Sequence, residues 1–397
     1  MDEWSSGLEE GTLRQLRLNS PTTGRWFPAL QALSWWITEY NPPYANLFLS
    51  PHLERVFIHV SWTWKDSEVP HDILLAIDST IAALPAPTLQ RVFIGVNHYS
   101  MPWEYFKESL SSIILRCGPS LTEFTSPIPL SDAAVNHLLQ LPHLRVWHVE
   151  GPPPNYSTLS LPPVFPPLAE FRLGEGAGHG WLSLIGRLVG CASGTQGATS
   201  SSRVKESLNS LHIQNLSGPM TDLSFVSPVQ MFRNLTYLNV ADHCHDKDGE
   251  GQCAFKLNDD NVTKLAMSLS QLESLQLGYP CSENTCYTTV ACLLPISVYC
   301  VKLDTLEIHF NTTNIVEDFK NITEDPRLQE LRSLPRCPLS ILDAYSMPLT
   351  LDESGVKTVA DGMIDIFPSL EHCEGFNDAW DEVSGNLRYV NAPVHRQ

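Results

Sequence analysis

Positive charge is scarce in this chain. Its 25 Lys and Arg face 44 Asp and Glu, giving a net charge of −19 over 397 residues. Binding to phosphate backbones needs clustered Lys and Arg that release counterions, so nucleic acid is not an expected partner, and neither is an anionic membrane surface. Long apolar runs are missing too. No stretch approaches the ~18 apolar residues that span a bilayer. The start, MDEWSSGLEEGTLRQLRLNSP, lacks the basic opening and apolar run of a secretory signal. The expected location is therefore cytoplasmic or nuclear, and not secreted. Ten cysteines in 397 residues are too dilute for a disulfide framework, so most are expected to be buried thiols. Six Asn-x-Ser/Thr sequons (Asn155, Asn215, Asn234, Asn261, Asn311, Asn321) then read as coincidence rather than glycan sites.

Chemical signatures are equally thin. There is no G-x-S-x-G elbow, no phosphate loop and no His-Glu-x-x-His. The glycines of GEGAGHGW, Gly174 to Trp181, do not fit G-x-G-x-x-G and read as a loop leading into a helix. ADHCHDKDGEGQC offers His243, Cys244, His245, Asp246 and Cys253, and YPCSENTC offers Cys281 and Cys286. Mixed Cys and His ligands suit tetrahedral zinc, but Cys-x4-Cys is loose and adjacent His-Cys-His rarely converge on one centre. These residues are weak metal candidates, and a polar surface loop with incidental thiols is the expected state. Asp246, Asp248 and Glu250 beside Gly249 lack the spacing of a calcium loop. Asp259 and Asp260 stand at an expected helix start, where carboxylates favour the macrodipole and cap free N–H groups. Neither an enzymatic activity nor a cofactor is expected.

What is present is a repeated unit. Hydrophobic residues make up 43% of the chain and charged ones 17%, enough for a large core. The pattern Leu-x-x-apolar-x-apolar recurs at Leu13-Leu16-Leu18, Leu30-Leu33-Trp35, Leu53-Val56-Ile58, Leu89-Val92-Ile94 and Leu144-Trp147-Val149. It returns at Leu168-Phe171-Leu173, Leu208-Leu211-Ile213, Leu235-Leu238-Val240, Leu272-Leu275-Leu277 and Leu303-Leu306-Ile308, with weaker copies at Leu121-Phe124, Leu339-Leu342-Ala344 and Leu370-Cys373. The spacing is ragged and averages roughly 30 residues, the long edge of leucine-rich repeats. A proline stands two residues before the first Leu in seven copies: Pro28, Pro51, Pro87, Pro119, Pro142, Pro166 and Pro368. Proline has no N–H and disfavours helix in the residue before it, so it separates helix from strand. Upstream runs such as Ile73-Leu74-Ile77-Ile81-Leu84 and Val262-Leu265-Ala266-Leu269 keep a helical period.

About a dozen such helix–strand units predict an α/β leucine-rich-repeat solenoid, with a curved parallel sheet on the concave face and helices on the convex face. It is read as one irregular domain over residues 1–397, with 376–397 as C-terminal cap and tail. FNDAWDEVSGNLRYV reads as a short amphipathic helix closing the array. A doubly wound α/β domain also alternates helix and strand and is the competing architecture.

If the second and third apolar residues of each motif point into the core, the residues between and beside them are expected on the concave face of the sheet. Those residues are Arg55, Phe57, Arg91, Phe93, His148, Glu170 and Arg172, then His212, Tyr237, Asn239, Gln276, Glu307 and Asp343. The front half is aromatic and basic, the back half polar and acidic. Aromatic and Arg residues anchor protein interfaces, so a protein partner carrying acidic and apolar groups suits the front half. A one-residue slip would exchange the two faces. SWWITEY and SWTWKD place Trp35, Trp36, Trp62 and Trp64 just after neighbouring strands, where burial as an end seal is expected over an exposed patch.

The chain resembles the leucine-rich-repeat region of the large, divergent F-box-type family of mushroom-forming fungi. The resemblance is carried by FPALQALSWWITEYNPPYANLFLSPHLERV, ALPAPTLQRVFI, LRCGPSLTEFTSPIPLSDAAVNHLLQLPHLRVWHVEGPPP, FPPLAEFRLGEG and FPSLEHCEG. It implies that the repeats hold a substrate, while an F-box docks on a Skp-type adaptor in a cullin ubiquitin ligase. No Leu-Pro-x-Glu opening precedes the first repeat at Leu13, so the adaptor-binding residues of that family map onto no position here.

Overall fold

Each apolar motif among the described residues becomes one short strand, because alternate side chains can then enter a common core while the backbone pairs with a neighbouring copy. A computed structural model describes residues 15, 27–37, 44, 47–60, 71–96, 103–149, 166–174, 185–186, 203–214, 222–241, 257–278, 287–326, 336–344, 350–375 and 378–391. The copy at Leu13-Leu16-Leu18, Trp62 and Trp64, and almost all of Gly174 to Trp181 lie outside these residues. The chain divides into two compact units, Met1–Leu168 and Ala169–Gln397.

In the first unit the described elements are β1 (Ala32–Ile37), β2 (Arg55–Val60), α1 (His71–Ala82), β3 (Arg91–Val96), α2 (Lys107–Arg116), β4 (Glu123–Ser126), α3 (Asp132–Leu138) and β5 (Val146–Val149). The five strands pair in parallel and in chain order. The second unit carries β6 (Glu170–Leu173), α4 (Arg203–Ser207), β7 (Ser210–Gln214), α5 (Asp222–Val229), β8 (Tyr237–Ala241), α6 (Asp259–Ser268), β9 (Ser274–Leu277) and α7 (Leu293–Tyr299). It continues with β10 (Thr305–Ile308), α8 (Ile315–Glu324), β11 (Ile341–Ala344), α9 (Glu353–Ile366), β12 (His372–Gly375) and α10 (Asp378–Asn391). Its seven strands are likewise parallel and sequential. A doubly wound sheet reverses its strand order at a switch point and covers both faces with helices. Here no order reverses within a unit, and the architecture of each is that of an α/β leucine-rich-repeat solenoid.

Stacking is held by a backbone spine that begins one residue after the first Leu. Gln90 N donates to Glu54 O (2.7 Å), Thr122 N to Gln90 O (2.8 Å) and Arg145 N to Thr122 O (2.8 Å). The second unit repeats the contact with Thr236 N to Asn209 O, Glu273 N to Thr236 O and Asp304 N to Glu273 O, all 2.8–2.9 Å. Hydroxyls reinforce it: Thr88 Oγ1 donates to Leu53 O (2.7 Å) and Ser120 Oγ to Leu89 O (3.1 Å), each one repeat back. Carbonyls near the strand entrance are thereby satisfied without water.

The helices begin where side chains cap them. Ser131 accepts from Ala134 N, Asn258 from Asn261 N and Asp352 from Gly355 N. Asp259, expected as a capping carboxylate, instead reaches the next repeat, accepting from Thr289 N and Thr289 Oγ1 at 2.7 Å each. Burial pushes its pKa up even against these two bonds. The apolar stripes are buried as their period requires: Leu74, Ile77 and Ile81 on α1, Val262, Leu265 and Ala266 on α6.

Among the described residues, Cys117, Cys292, Cys300, Cys337 and Cys373 are buried and form no disulfide. Burial is the leading cause that pushes the thiols of Cys117, Cys300 and Cys337 up to about 12. The thiolate is the reactive form, so iodoacetamide at pH 8 should leave these five unlabelled in the native protein and label them in urea. Peptide mass spectrometry reads the result, and fast native labelling of Cys300 or Cys337 would contradict the packing.

Candidate partner-binding face

Strand alternation separates two faces. In β4, β5, β6, β9 and β10 the buried residues are the second and fourth, while the first and third are half-buried. Within the buried set, Val56, Ile58, Val92, Ile94, Phe124 and Trp147 are each at most 1% exposed and belong to the core. The other set lines the opposite, open face of the strands.

On the open face of the first unit, parallel register builds three rows across the strands. The row nearest the strand starts holds Ala32, Arg55, Arg91, Glu123 and Val146. The next holds Ser34, Phe57, Phe93, Thr125 and His148, and the last, where β1 to β3 run two residues longer, holds Trp36, His59 and Gly95. Arg55 and Arg91 are exposed and Phe57 and Phe93 half-buried. Arg91 is paired with Glu123 at 3.3 Å. Thr125 Oγ1 and His148 Nδ1 lie 3.3 Å apart.

Three residues outside the expected set complete this surface. Trp36, 53% exposed, stacks on His59 with centroids 4.5 Å apart and planes 13° apart. His59 meets Phe93 at 5.0 Å, and Phe93 meets Phe57 at 6.2 Å. Gly95 provides the room, because a Cβ there would stand 2.5 Å from Phe93 Cε1. The Phe93 ring thus lies over the glycine and joins the middle row to the last. Partial burial in this stack holds the His59 pKa below the ordinary imidazole value. Extending the alternation one step past Phe57 would have found His59. For Trp35 and Trp36 the expected place after the strand is corrected: both lie within β1, on opposite faces. Trp35 is half-buried against Phe48 at 5.0 Å, while Trp36 is exposed on the open face.

The second unit has its own row on the corresponding positions: Arg172, His212, Asn239, Gln276, Glu307, Asp343 and Glu374 in register across seven strands. Glu170 and Tyr237 belong to the row beside it, and the Tyr237 and His212 rings stack at 4.4 Å. Charge along this row runs from cationic through amide to anionic. Asn239 departs from the expectation of display. It is only 5% exposed, and its Nδ2 donates to Gln276 Oε1 and to Tyr237 Oη.

The metal candidates His243, Cys244, His245, Cys253, Cys281 and Cys286 lie outside the described residues. Among the described residues no group of three or more His, Cys, Asp or Glu is placed to hold a metal ion, and no helix is long and apolar enough to cross a membrane.

No family model matches the chain, and no curated protein matches it. Solved structures do. A crystal structure of the Rad7 and Elc1 complex in yeast matches with a TM-score of 0.38 and 14% identity, over 87% of this chain and 86% of that one. A structure of a TLR13–ssRNA13 complex matches with a TM-score of 0.27 and 12% identity, over 87% of this chain and 54% of that one.

Proposed function

We propose that this chain is a protein-binding repeat module that docks its partner on the open face of its strands, foremost on the first unit. The observation that carries the reading is the contiguous surface of Trp36, His59, Phe93 and Phe57 beside the exposed Arg55. Aromatic and Arg side chains are the residue types that dominate binding energy at protein interfaces, and contiguous exposed apolar surface marks interaction sites. The finer reading follows the resemblance to fungal F-box repeat proteins. In it the repeats hold a substrate for ubiquitination, and a Skp-type adaptor with a cullin is part of the assembly.

A second reading keeps the same face but makes the chain a ligase-independent scaffold or inhibitor.

Affinity purification of the tagged chain from its native cells, with mass spectrometry, tests both. Adaptor and cullin peptides at near-stoichiometric levels favour the substrate receptor. A reproducible partner without them favours the scaffold. If no protein is retained above a tag-only control, the binding-module reading fails.

A further inference from the structure

The open face of the first unit is chemically graded along the strands. At their start stand two guanidiniums directly opposite each other, Arg55 and Arg91. Like charges in cross-strand register repel. Glu123 compensates Arg91 at 3.3 Å, while Arg55 is exposed and has no ion-pair partner among the described residues. One positive charge is therefore left over at that end. Two residues further along comes the Phe57–Phe93 pair, and two further again the Trp36–His59 stack. Gly95 lets the Phe93 ring bridge the two aromatic rows, so the four rings form one floor and not two islands.

The rows are two residues apart, about 6.6 Å in a parallel strand. An extended peptide presents alternate side chains on one side at the same interval. We propose that this floor seats an extended peptide segment carrying one acidic and two apolar side chains at alternate positions. The carboxylate sits on Arg55, one apolar group on Phe57 and Phe93, and the other on Trp36 and His59. The inference rests on the protein-binding reading and adds the chemistry and the spacing of what is bound. A peptide fits this floor better than single-stranded nucleic acid, although bases also stack on aromatic platforms. Phosphate backbones need several cations, and here a single guanidinium is uncompensated in a chain of net charge −19.

The test is selection of a random 12-residue peptide display library on the immobilised full-length chain, followed by affinity measurement on synthetic copies of the selected peptides. The expected result is enrichment of Asp or Glu two residues from one apolar residue and four from a second, in either direction. Arg55→Glu should weaken such a peptide at least tenfold, and exchanging the peptide's acidic residue for Lys should restore binding to that variant. Enriched peptides without this alternation, or affinities indifferent to Arg55→Glu, would overturn the inference. So would a 12-mer oligo-dT that binds the chain and displaces the selected peptides. Failure of the broader reading looks different. If cellular proteins are still recovered on the chain while peptides show no pattern, the binding module stands and only the inference falls.

Discussion

Replacing Trp380 by alanine is expected to lower the free energy of unfolding by about 3–5 kcal/mol, the usual cost of truncating a fully buried aromatic residue. Trp380 is 0% exposed and lies on α10, the helix packed against the last described strand of the second unit. Its ring occupies the space over Gly375, where a Cβ would stand 2.2 Å from Trp380 Cδ1, and meets Phe310 edge-on at 6.4 Å. The helix does more than fill volume. Ser384 Oγ accepts from Cys373 N on β12, so a backbone donor at the sheet edge is satisfied by a side chain of α10. An uncovered edge offers its N–H and C=O groups to other chains. Loss of Trp380 should therefore lower the urea midpoint, and native-state hydrogen exchange should show faster exchange at Cys373. Trp380→Phe separates causes. The indole Nε1 has no hydrogen-bond partner among the described residues, so phenylalanine should retain most of the stability. An alanine variant less than 1 kcal/mol destabilised would show that α10 is not integral to the unit.

That helix illustrates how far the sequence could be read. FNDAWDEVSGNLRYV shows the period of an amphipathic helix, and α10 forms over Asp378–Asn391. Strand positions were legible for the same reason: one motif of fixed internal spacing recurs, and within each unit the described copies pair in register with their neighbours. Periodicity reports which side chains share a face, and the two faces follow from it. It does not report how large side chains on that face arrange themselves. The Phe93 ring turns toward His59 because position 95 lacks a Cβ, a consequence of packing between neighbours on two strands. Asn239 shows the converse. Its place in the polar row follows from alternation, but its burial follows from Tyr237 and Gln276 closing on its amide. Asp259 likewise reads locally as a helix-start carboxylate. Its bonds to Thr289 depend on the next repeat, some 30 residues away in sequence and adjacent in the stack.

Phe57→Ser together with Phe93→Ser should leave the fold standing and weaken the partner recovered on the first unit by on the order of 100-fold. Fold and binding separate here because the two faces of β2 and β3 do different work. Beneath the rings, Val56, Ile58, Val92 and Ile94 are at most 1% exposed and belong to the core, which the double substitution leaves intact. On the open face the two rings contact each other at 6.2 Å, an interaction worth about 0.5–1.5 kcal/mol, a modest part of total stability. A partner that buries both rings loses far more, since serine offers neither the area nor the shape. Thermal unfolding of the variant and its affinity for the partner, measured side by side, read the two effects independently. A variant that no longer folds would place Phe57 and Phe93 in the core. A folded variant with undiminished affinity would move the docking face to the second unit, where the His212 and Tyr237 rings stack beside Arg172. Arg172→Glu would then be the substitution that weakens binding, and the aromatic floor of the first unit would be left without a role in recognition.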